Sequence, residues 1–237
     1  MNDHAPVTER LAWIRDRIEK ACRRSGRPAG SVTLVGASKT QGPALLAEAW
    51  EAGLRVFGEN RVQEAVAKSR ELPPHVRDIE WHLIGPLQSN KVRPAVELFR
   101  AVHSIDRPAI AEALDREAAA RGKTLDGFLE VNLGGEESKH GFVPEGLADA
   151  VRPLAGLAHL RIAGLMAIPP PGEIPEASRP WFRKLRELRD DLAARPEWQG
   201  FPGWLSMGMS DDFEVAVEEG ATHVRVGSAL FGPRRTT

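Results

Sequence analysis

A lysine and two glycine–serine turns are the residues of this sequence whose types and positions could do chemistry together. Lys39 follows an apolar run, residues 32–38, which predicts a buried strand, and the end of such a strand is a costly place for an ammonium group. A lysine partly removed from water has a lowered pKa, and its neutral amine can attack a carbonyl to form a Schiff base. The alternative is a lysine whose methylene stem packs on the core while its charged end reaches solvent.

The two turns each place glycine and serine directly before a predicted helix. One extends from Ser206 through Met207 to Ser210, and the other is Gly227-Ser228. Backbone amides at a helix start and a serine hydroxyl are donors that bind phosphate, and glycine lets a ligand approach the backbone. Ordinary helix capping by Ser210 is the alternative for the first turn. The two turns together predict a phosphate site.

An amine nucleophile near a phosphate site favours a phosphorylated aldehyde as the ligand, and both pyridoxal phosphate and a sugar phosphate meet this description. Arg225, two residues before Gly227, could donate to a pyridine nitrogen and keep it unprotonated, or it could form a salt bridge with a loop carboxylate. His82, on an apolar strand, is more typical of a core histidine than of a catalytic one. No second histidine or carboxylate near His82 has the spacing of metal ligands, so we expect no metal site.

Short apolar strands alternate with amphipathic helices along almost the whole chain, after one initial helix. The predicted strands span residues 32–38, 55–58, 80–84, 101–105, 127–133, 160–168, 203–207 and 223–226. Eight strand–helix units in order favour a single α/β domain, a closed (β/α)₈ TIM barrel, over a doubly wound open sheet. We expect this one domain to cover residues 1–237, with a lead-in helix in residues 1–30 and the barrel in residues 31–232. In such a barrel the residues singled out above gather at the C-terminal ends of the strands, where barrel active sites lie.

Composition limits the classes of function. The chain has 237 residues, 32 basic and 33 acidic residues, and a formal charge of −1, so no nucleic-acid or membrane partner is indicated. Its one cysteine, Cys22, excludes an intramolecular disulfide, and no apolar run approaches a membrane span. We expect a cytoplasmic protein, and a monomer.

Eight motifs, in this order along the chain, resemble those of a known family. They are GASKT (36–40), FGENRVQE (57–64), WHLIGPLQSNK (81–91), VHSID (102–106), ESKHGF (137–142), GLMAIP (164–169), LSMGMSDDFEVAVEEG (205–220) and VRVGSALFG (224–232). The family is that of the pyridoxal-phosphate homeostasis proteins of the YggS/PROSC type. The sequence departs from the family at Gly36-Ala37, where bulkier valine is common, and at Gln41, where a basic residue is frequent.

The resemblance implies a barrel like the N-terminal domain of alanine racemase, which is the fold type III arrangement for pyridoxal phosphate. It implies pyridoxal 5′-phosphate bound as a Schiff base on Lys39. It also assigns phosphate contacts to Ser206 or Ser210 with Gly227 and Ser228, the pyridine nitrogen to Arg225, and the surroundings of the ring to Asn60, His82 and Met207. Members of the family have no firmly established turnover and are thought to manage cellular pyridoxal phosphate, so apo forms of enzymes that use it are candidate recipients.

Three functions are compatible with these residues: a non-catalytic cofactor carrier, a pyridoxal-phosphate enzyme acting on amino acids, and a Schiff-base aldolase acting on a sugar phosphate. The resemblance implies that racemases of this barrel class use a lysine and an opposing tyrosine. Because this sequence contains no tyrosine, a racemase of that two-base design is excluded. The aldolase needs acidic partners around Lys39, for which Glu59 and the Glu136-Glu137 pair are the candidates, and the resemblance decides against it. We therefore expect a carrier with no catalytic residue.

Overall fold

The computed structural model describes residues 5–136 and 140–232, and in these ranges eight strands alternate with helices. Residues 137–139, which belong to the ESKHGF motif and include Glu137, lie outside the described residues. The strands are Thr33–Ala37 (β1), Val56–Glu59 (β2), Glu80–Leu83 (β3), Ala101–Ile105 (β4), Leu125–Glu130 (β5), Leu160–Met166 (β6), Trp204–Ser206 (β7) and His223–Val226 (β8).

The helices of the described ranges form the outer layer. They are Val7–Arg24 (α1), Pro43–Glu51 (α2), Val62–Glu71 (α3), Val92–Leu98 (α4), Pro108–Ala120 (α5), Leu147–Val151 (α6), Arg179–Ala193 (α7), Phe213–Glu218 (α8) and Ser228–Phe231 (α9). Short 3₁₀ turns lie at Ser89–Lys91, Arg152–Gly156, Pro175–Ser178 and Pro196–Trp198. Among these elements, no helix is both long and apolar enough to span a bilayer.

Every strand pairs in parallel with the next, and the sheet closes because β1 also pairs with β8. In the closing register, Val35 lies opposite Arg225 and Gly36 lies opposite Val226. The predicted (β/α)₈ barrel is therefore confirmed, and the open doubly wound sheet is excluded. Since all strands run in the same direction, their C-terminal ends meet at one mouth of the barrel.

The boundaries of β5 differ from the prediction. The strand was expected over residues 127–133, but it begins at Leu125 and ends at Glu130. Beyond Glu130 the chain pairs with a returning segment, because Phe142 donates its amide to the Glu130 carbonyl at 2.8 Å. Val131 and Leu133 are buried although they lie beyond the strand, and the Val131 amide donates to the Met166 carbonyl of β6 at 2.8 Å. Their apolar character extended the predicted strand too far.

The first helix, α1, packs along the outside of the barrel beside α2, α8 and α9. Its apolar stripe, which includes Leu11, Ile14 and Ile18, is buried. On its polar side, Arg24 donates to the carboxylate of Glu218 on α8 at 2.7 Å. The helix thereby covers the seam where the first and last strands of the barrel meet.

Candidate functional site

A cavity of about 230 Å³ opens at the C-terminal mouth of the barrel. Three segments form it: the end of β1, the loop between β7 and α8, and the junction of β8 with α9. Its lining residues are Ala37, Lys39, Thr40, Gln41, Met209, Ser210, Asp211, Arg225, Gly227, Ser228 and Gly232. The cavity lies at the seam that the pairing of β1 with β8 closes.

Five of the nine predicted site residues line this cavity, namely Lys39, Ser210, Arg225, Gly227 and Ser228. The other four do not line it. Of these, His82, Ser206 and Met207 are buried in the barrel, whereas Asn60 follows the end of β2 and is partly exposed. The roles assigned to these nine residues stay predictions. The structure separates the five residues that line the cavity with Lys39 from the four that do not.

The backbone before Lys39 is held by a buried ionic cluster. Ser38 is fully buried, and its hydroxyl donates to Glu59 Oε1 at 2.6 Å. Lys68 Nζ donates to the same carboxylate oxygen at 2.7 Å and to the Ser38 carbonyl at 2.8 Å. Because both the side chain and the carbonyl of Ser38 are bound, the position from which the Lys39 side chain leaves the strand is restrained.

Backbone amides converge on the wall of the cavity near Ser210. The amides of Gly227 and Ala229 both donate to Ser210 Oγ, at 3.3 and 3.2 Å. The loop that carries Ser210 is held in turn by Asp212, which accepts the Met209 amide at 2.7 Å. Two convergent amides and a hydroxyl are a donor set that suits an oxyanion. Of the two serines proposed for phosphate, Ser210 is the one that lines the cavity.

Arg225 is 4% exposed and lines the cavity from β8. Its guanidinium donates to Ser206 Oγ at 2.6 Å and to the Ala167 carbonyl at 3.1 Å. Burial lowers the pKa of Arg225 to about 10, and the carboxylates of Glu130 and Asp212 oppose this effect, so the side chain stays charged at neutral pH. Within the described ranges, its close partners are a hydroxyl and a carbonyl, and the salt bridge considered for it is not formed.

His82 belongs to a group of histidines inside the barrel. Its Nδ1 lies 2.9 Å from His103 Nε2, and its Nε2 lies 2.8 Å from a carboxylate oxygen of Glu80. Burial lowers the pKa of His103 well below its ordinary value and that of His223 to about 3. These contacts agree with the core-histidine alternative for His82.

Two carboxylates that were not predicted as site residues lie at the same mouth, Glu130 at the end of β5 and Asp106 just after β4. Burial raises the pKa of Glu130 to about 7, and the negative charge of Asp106 adds to this, whereas Arg225 opposes it. Asp106 accepts from the Arg107 guanidinium at 2.7 Å. The sequence signal that indicates Glu130 is an acidic residue directly at the end of an apolar strand, in GFLE (127–130). Glu130 is a group that can hold or release a proton near neutral pH.

The ionic cluster behind Lys39 generates a prediction for Lys68. Replacing Lys68 with methionine leaves the fully buried Glu59 carboxylate without its countercharge, and we expect a loss of about 3–5 kcal/mol in the free energy of unfolding. Urea denaturation measures this change in the free energy of unfolding. The double variant Lys68→Met/Glu59→Gln should recover at least half of the loss.

The control for this experiment is Lys20→Met, since Lys20 forms an exposed ion pair with Asp16 at 2.6 Å. It should change the free energy of unfolding by less than about 1 kcal/mol. A Lys68→Met variant as stable as the control would show that the cluster does not restrain this part of the barrel.

Glu130 generates a prediction about pH. Its pKa rises from 4.5 to about 7 on folding, so the folded state holds this proton more tightly, and stability falls as pH rises through that window. Glu130→Gln removes the free-energy cost of ionising this buried carboxyl group. The variant should exceed the wild type by about 1–3 kcal/mol in the free energy of unfolding at pH 8, and it should show no such gain at pH 4. Glu145→Gln, at an exposed position, is the control; a gain for Glu130→Gln that is equal at both pH values would contradict the assignment.

Comparison with known proteins places these features in a family. The family described as alanine racemase, N-terminal domain, matches residues 10–235. A pyridoxal phosphate homeostasis protein from Aquifex aeolicus (strain VF5) is 47% identical over 227 residues, which cover 96% of this chain and 98% of that protein. The protein of the same name from Escherichia coli (strain K12) is 41% identical over 235 residues, covering 99% and 98% of the two chains.

Solved structures agree with this. The structure of PipY from Synechococcus elongatus PCC7942, with PLP bound, is 42% identical and covers 95% of this chain and 100% of that chain, with a TM-score of 0.83. An alanine racemase from Clostridium difficile 630 shares the fold alone, at 11% identity and a TM-score of 0.69 over 98% of this chain and 56% of that chain. With relatives this similar over nearly the whole length, the chain belongs to the pyridoxal phosphate homeostasis protein family.

Proposed function

We propose that this protein binds pyridoxal 5′-phosphate in the cavity at the barrel mouth and takes part in the homeostasis of this cofactor inside the cell. The observation that carries the proposal is the shared cavity of about 230 Å³, which Lys39, Arg225 and the amide-rich Gly227-Ser228 junction line together. The amine can react with an aldehyde, the buried guanidinium can donate to a pyridine nitrogen, and the convergent backbone amides can bind a phosphate.

The residues present fit this cofactor. In the proposal, the neutral amine of Lys39 adds to the aldehyde carbon, and the aldehyde oxygen leaves as water, so that a Schiff base joins the protein to the ligand. Ser210, Gly227 and Ser228 bind the phosphate. Support for Ser210 comes from the two amides that already converge on its hydroxyl oxygen, at 3.3 and 3.2 Å.

Arg225 is proposed to face the pyridine nitrogen. A guanidinium only donates hydrogen bonds, so it leaves that nitrogen unprotonated. Bound pyridoxal phosphate supplies an electron-withdrawing ring, and an unprotonated nitrogen weakens it as an electron sink. Arg225 therefore favours holding the cofactor over using it for carbanion chemistry.

We propose a carrier rather than an enzyme. The homologous proteins are named for homeostasis of the cofactor. The absence of tyrosine from all 237 residues removes the second base of a two-base racemase. In this proposal one barrel domain acts as a cytoplasmic monomer, and apo forms of pyridoxal-phosphate enzymes receive the cofactor.

A pyridoxal-phosphate enzyme acting on amino acids is the second candidate, and one observation favours it. Glu130, whose pKa burial raises to about 7, interacts electrostatically with Arg225 in the cavity wall. A carboxyl group that exchanges its proton near neutral pH at the same mouth could serve as a general acid or base.

Lys39→Ala tests the covalent bond. The wild-type protein mixed with pyridoxal phosphate should gain a visible absorption band, and borohydride reduction should fix the ligand on the peptide that contains Lys39, as mass spectrometry detects. The variant should gain neither, because it lacks the amine. Lys91→Ala, a change of another lysine at the C-terminal side of a strand, should behave like the wild type. Labelling of a different lysine, or a wild-type protein that stays colourless, would refute the proposed bond.

Turnover separates the carrier from the enzyme. The loaded protein is incubated with each of the common amino acids, and keto acid, ammonia and the opposite enantiomer are measured. We expect less than one product molecule per protein, because the chain lacks a tyrosine base and Arg225 weakens the electron sink. Multiple turnovers that disappear in Glu130→Gln would favour the second candidate and defeat the carrier.

A further inference from the structure

A continuous line of hydrogen bonds runs through the barrel interior from the cavity to the opposite mouth. It links Arg225 to Ser206 (2.6 Å), Ser206 to His103 (2.7 Å), His103 to His82 (2.9 Å) and His82 to Glu80 (2.8 Å). We call these five residues the interior chain. Its first four members are buried, whereas Glu80, the first residue of β3, has a 47% exposed side chain at the N-terminal mouth.

The two ends of the interior chain fix the directions of its first and last bonds. A guanidinium only donates, so Arg225 gives a hydrogen to Ser206. An ionised carboxylate only accepts, so His82 gives its Nε2 hydrogen to Glu80. The hydrogen bond from His82 lowers the pKa of Glu80, which keeps that carboxylate ionised.

The middle bonds depend on which ring nitrogens carry hydrogen. Since His82 gives its Nε2 hydrogen to Glu80, a His82 ring with a single hydrogen accepts at Nδ1 from His103 Nε2. His103 is neutral because burial lowers its pKa well below the ordinary value, and its Nδ1 therefore accepts the hydroxyl hydrogen of Ser206. All donors point from Arg225 towards Glu80, and hydrogen bonds aligned in one direction strengthen one another.

We propose that Glu80, acting through the interior chain, is a remote positioning residue for Arg225. The Glu80 carboxylate, as an acceptor at the N-terminal mouth, keeps His103 in the Nε2–H tautomer. Ser206 can then donate its hydroxyl hydrogen to His103 Nδ1 and accept a hydrogen bond from the Arg225 guanidinium. The interior chain orients Arg225, which lines the cavity. Its effect on ligand binding therefore rests on the proposed function.

The opposite arrangement shows why the acceptor matters. If His82 carried hydrogens on both nitrogens, or turned its only hydrogen to Nδ1, His103 would have to donate from Nδ1 to Ser206. The hydroxyl oxygen would then receive hydrogens from both His103 and Arg225, and its own hydrogen would have no acceptor among its described partners. A buried hydroxyl without an acceptor is unfavourable, so the bond to Arg225 would be disturbed.

Other groups that face the interior chain are compatible with this assignment. His223 lies 5.8 Å from His103 between ring centroids, and its own Nδ1 contacts Thr222 at 2.9 Å. Phe128 stacks on His103 at 4.2 Å and offers it no hydrogen bond. Charges near the two ends come from Arg100 beside Glu80, and from the carboxylates of Glu130 and Asp212 beside Arg225.

Nuclear magnetic resonance of the full-length chain, labelled with ¹⁵N in histidine and arginine and without added ligand, tests the proposal directly. In the wild type, His82 and His103 should both be neutral with hydrogen on Nε2. In Glu80→Ala, at least one of the two rings should move to the Nδ1–H form or exchange between forms, and the side-chain resonances of Arg225 should shift. Glu80→Gln keeps an acceptor oxygen and should restore the wild-type tautomers.

Glu51→Ala is the matched control, because Glu51 contacts His75 at 3.1 Å in an exposed pair that is separate from the interior chain. It should alter His75 alone. A wild-type His103 with hydrogen on Nδ1 would overturn the direction of the bonds. Unchanged His103 and Arg225 resonances in Glu80→Ala would overturn the positioning role.

Titration with pyridoxal phosphate measures the effect on the cavity. Glu80→Ala should bind about fivefold more weakly, the loss typical of one hydrogen bond, and the pH dependence of its visible band should shift, whereas Glu80→Gln should bind as the wild type does. Wild-type affinity and pH dependence in Glu80→Ala would overturn the link to the ligand. If the wild type does not bind pyridoxal phosphate at all, the proposed function fails, and the histidine and arginine resonances still decide the positioning role.

Discussion

The pairing of β1 with β8 is the contact on which the candidate site depends. It sets Val35 opposite Arg225 and Gly36 opposite Val226, so the residues that follow the two strands emerge side by side. A Cβ at Gly36 would lie 2.6 Å from Leu54 Cδ2, so a larger residue there would require the Leu54 side chain to move. Without closure of the barrel, Lys39 and the Gly227-Ser228 junction, which are almost 190 residues apart in the chain, would not share a cavity.

The charged groups near this seam are stabilised by short contacts in which at least one partner is buried. Glu59 is balanced by Lys68 at 2.7 Å, and Arg225 by a hydroxyl and a carbonyl. Removing one partner from such a pair costs more than the pair contributes, because the remaining charge stays in a medium that solvates it poorly. These contacts restrain the backbone at Ser38, directly before Lys39, and the guanidinium of Arg225.

The sequence was sufficient for the fold and for the group of Lys39, Ser210 and Gly227, but not for Glu130 and Asp106 at the ends of β5 and β4. Alternation of strands and helices predicts a barrel, and a barrel brings Lys39, Ser210 and Gly227 to one mouth by topology alone. The contacts inside the barrel could not be predicted, because they join strands that are far apart in the chain. His103 and Ser206 are 103 residues apart and meet through side-chain packing that no local pattern reports. The end of β5 was also misplaced, since Val131 is buried beyond the end of the strand, where it pairs with Phe142.

Arg225 connects the cavity at the barrel mouth with the polar residues inside the barrel. Arg225 lines the cavity, and its Nη1 begins a line of hydrogen bonds that crosses the barrel to Glu80. An arginine with a carboxylate at close range would have its charge balanced locally, and its orientation would depend on that one contact. Here the hydrogen-bond acceptors of the guanidinium are neutral, and the carboxylates of Glu130 and Asp212 act on it electrostatically. In the proposed arrangement, its orientation therefore depends on the tautomers of His103 and His82. In the proposed arrangement the polar interior of the barrel supports the candidate site, although Arg225 is the one member of the interior chain that lines the cavity.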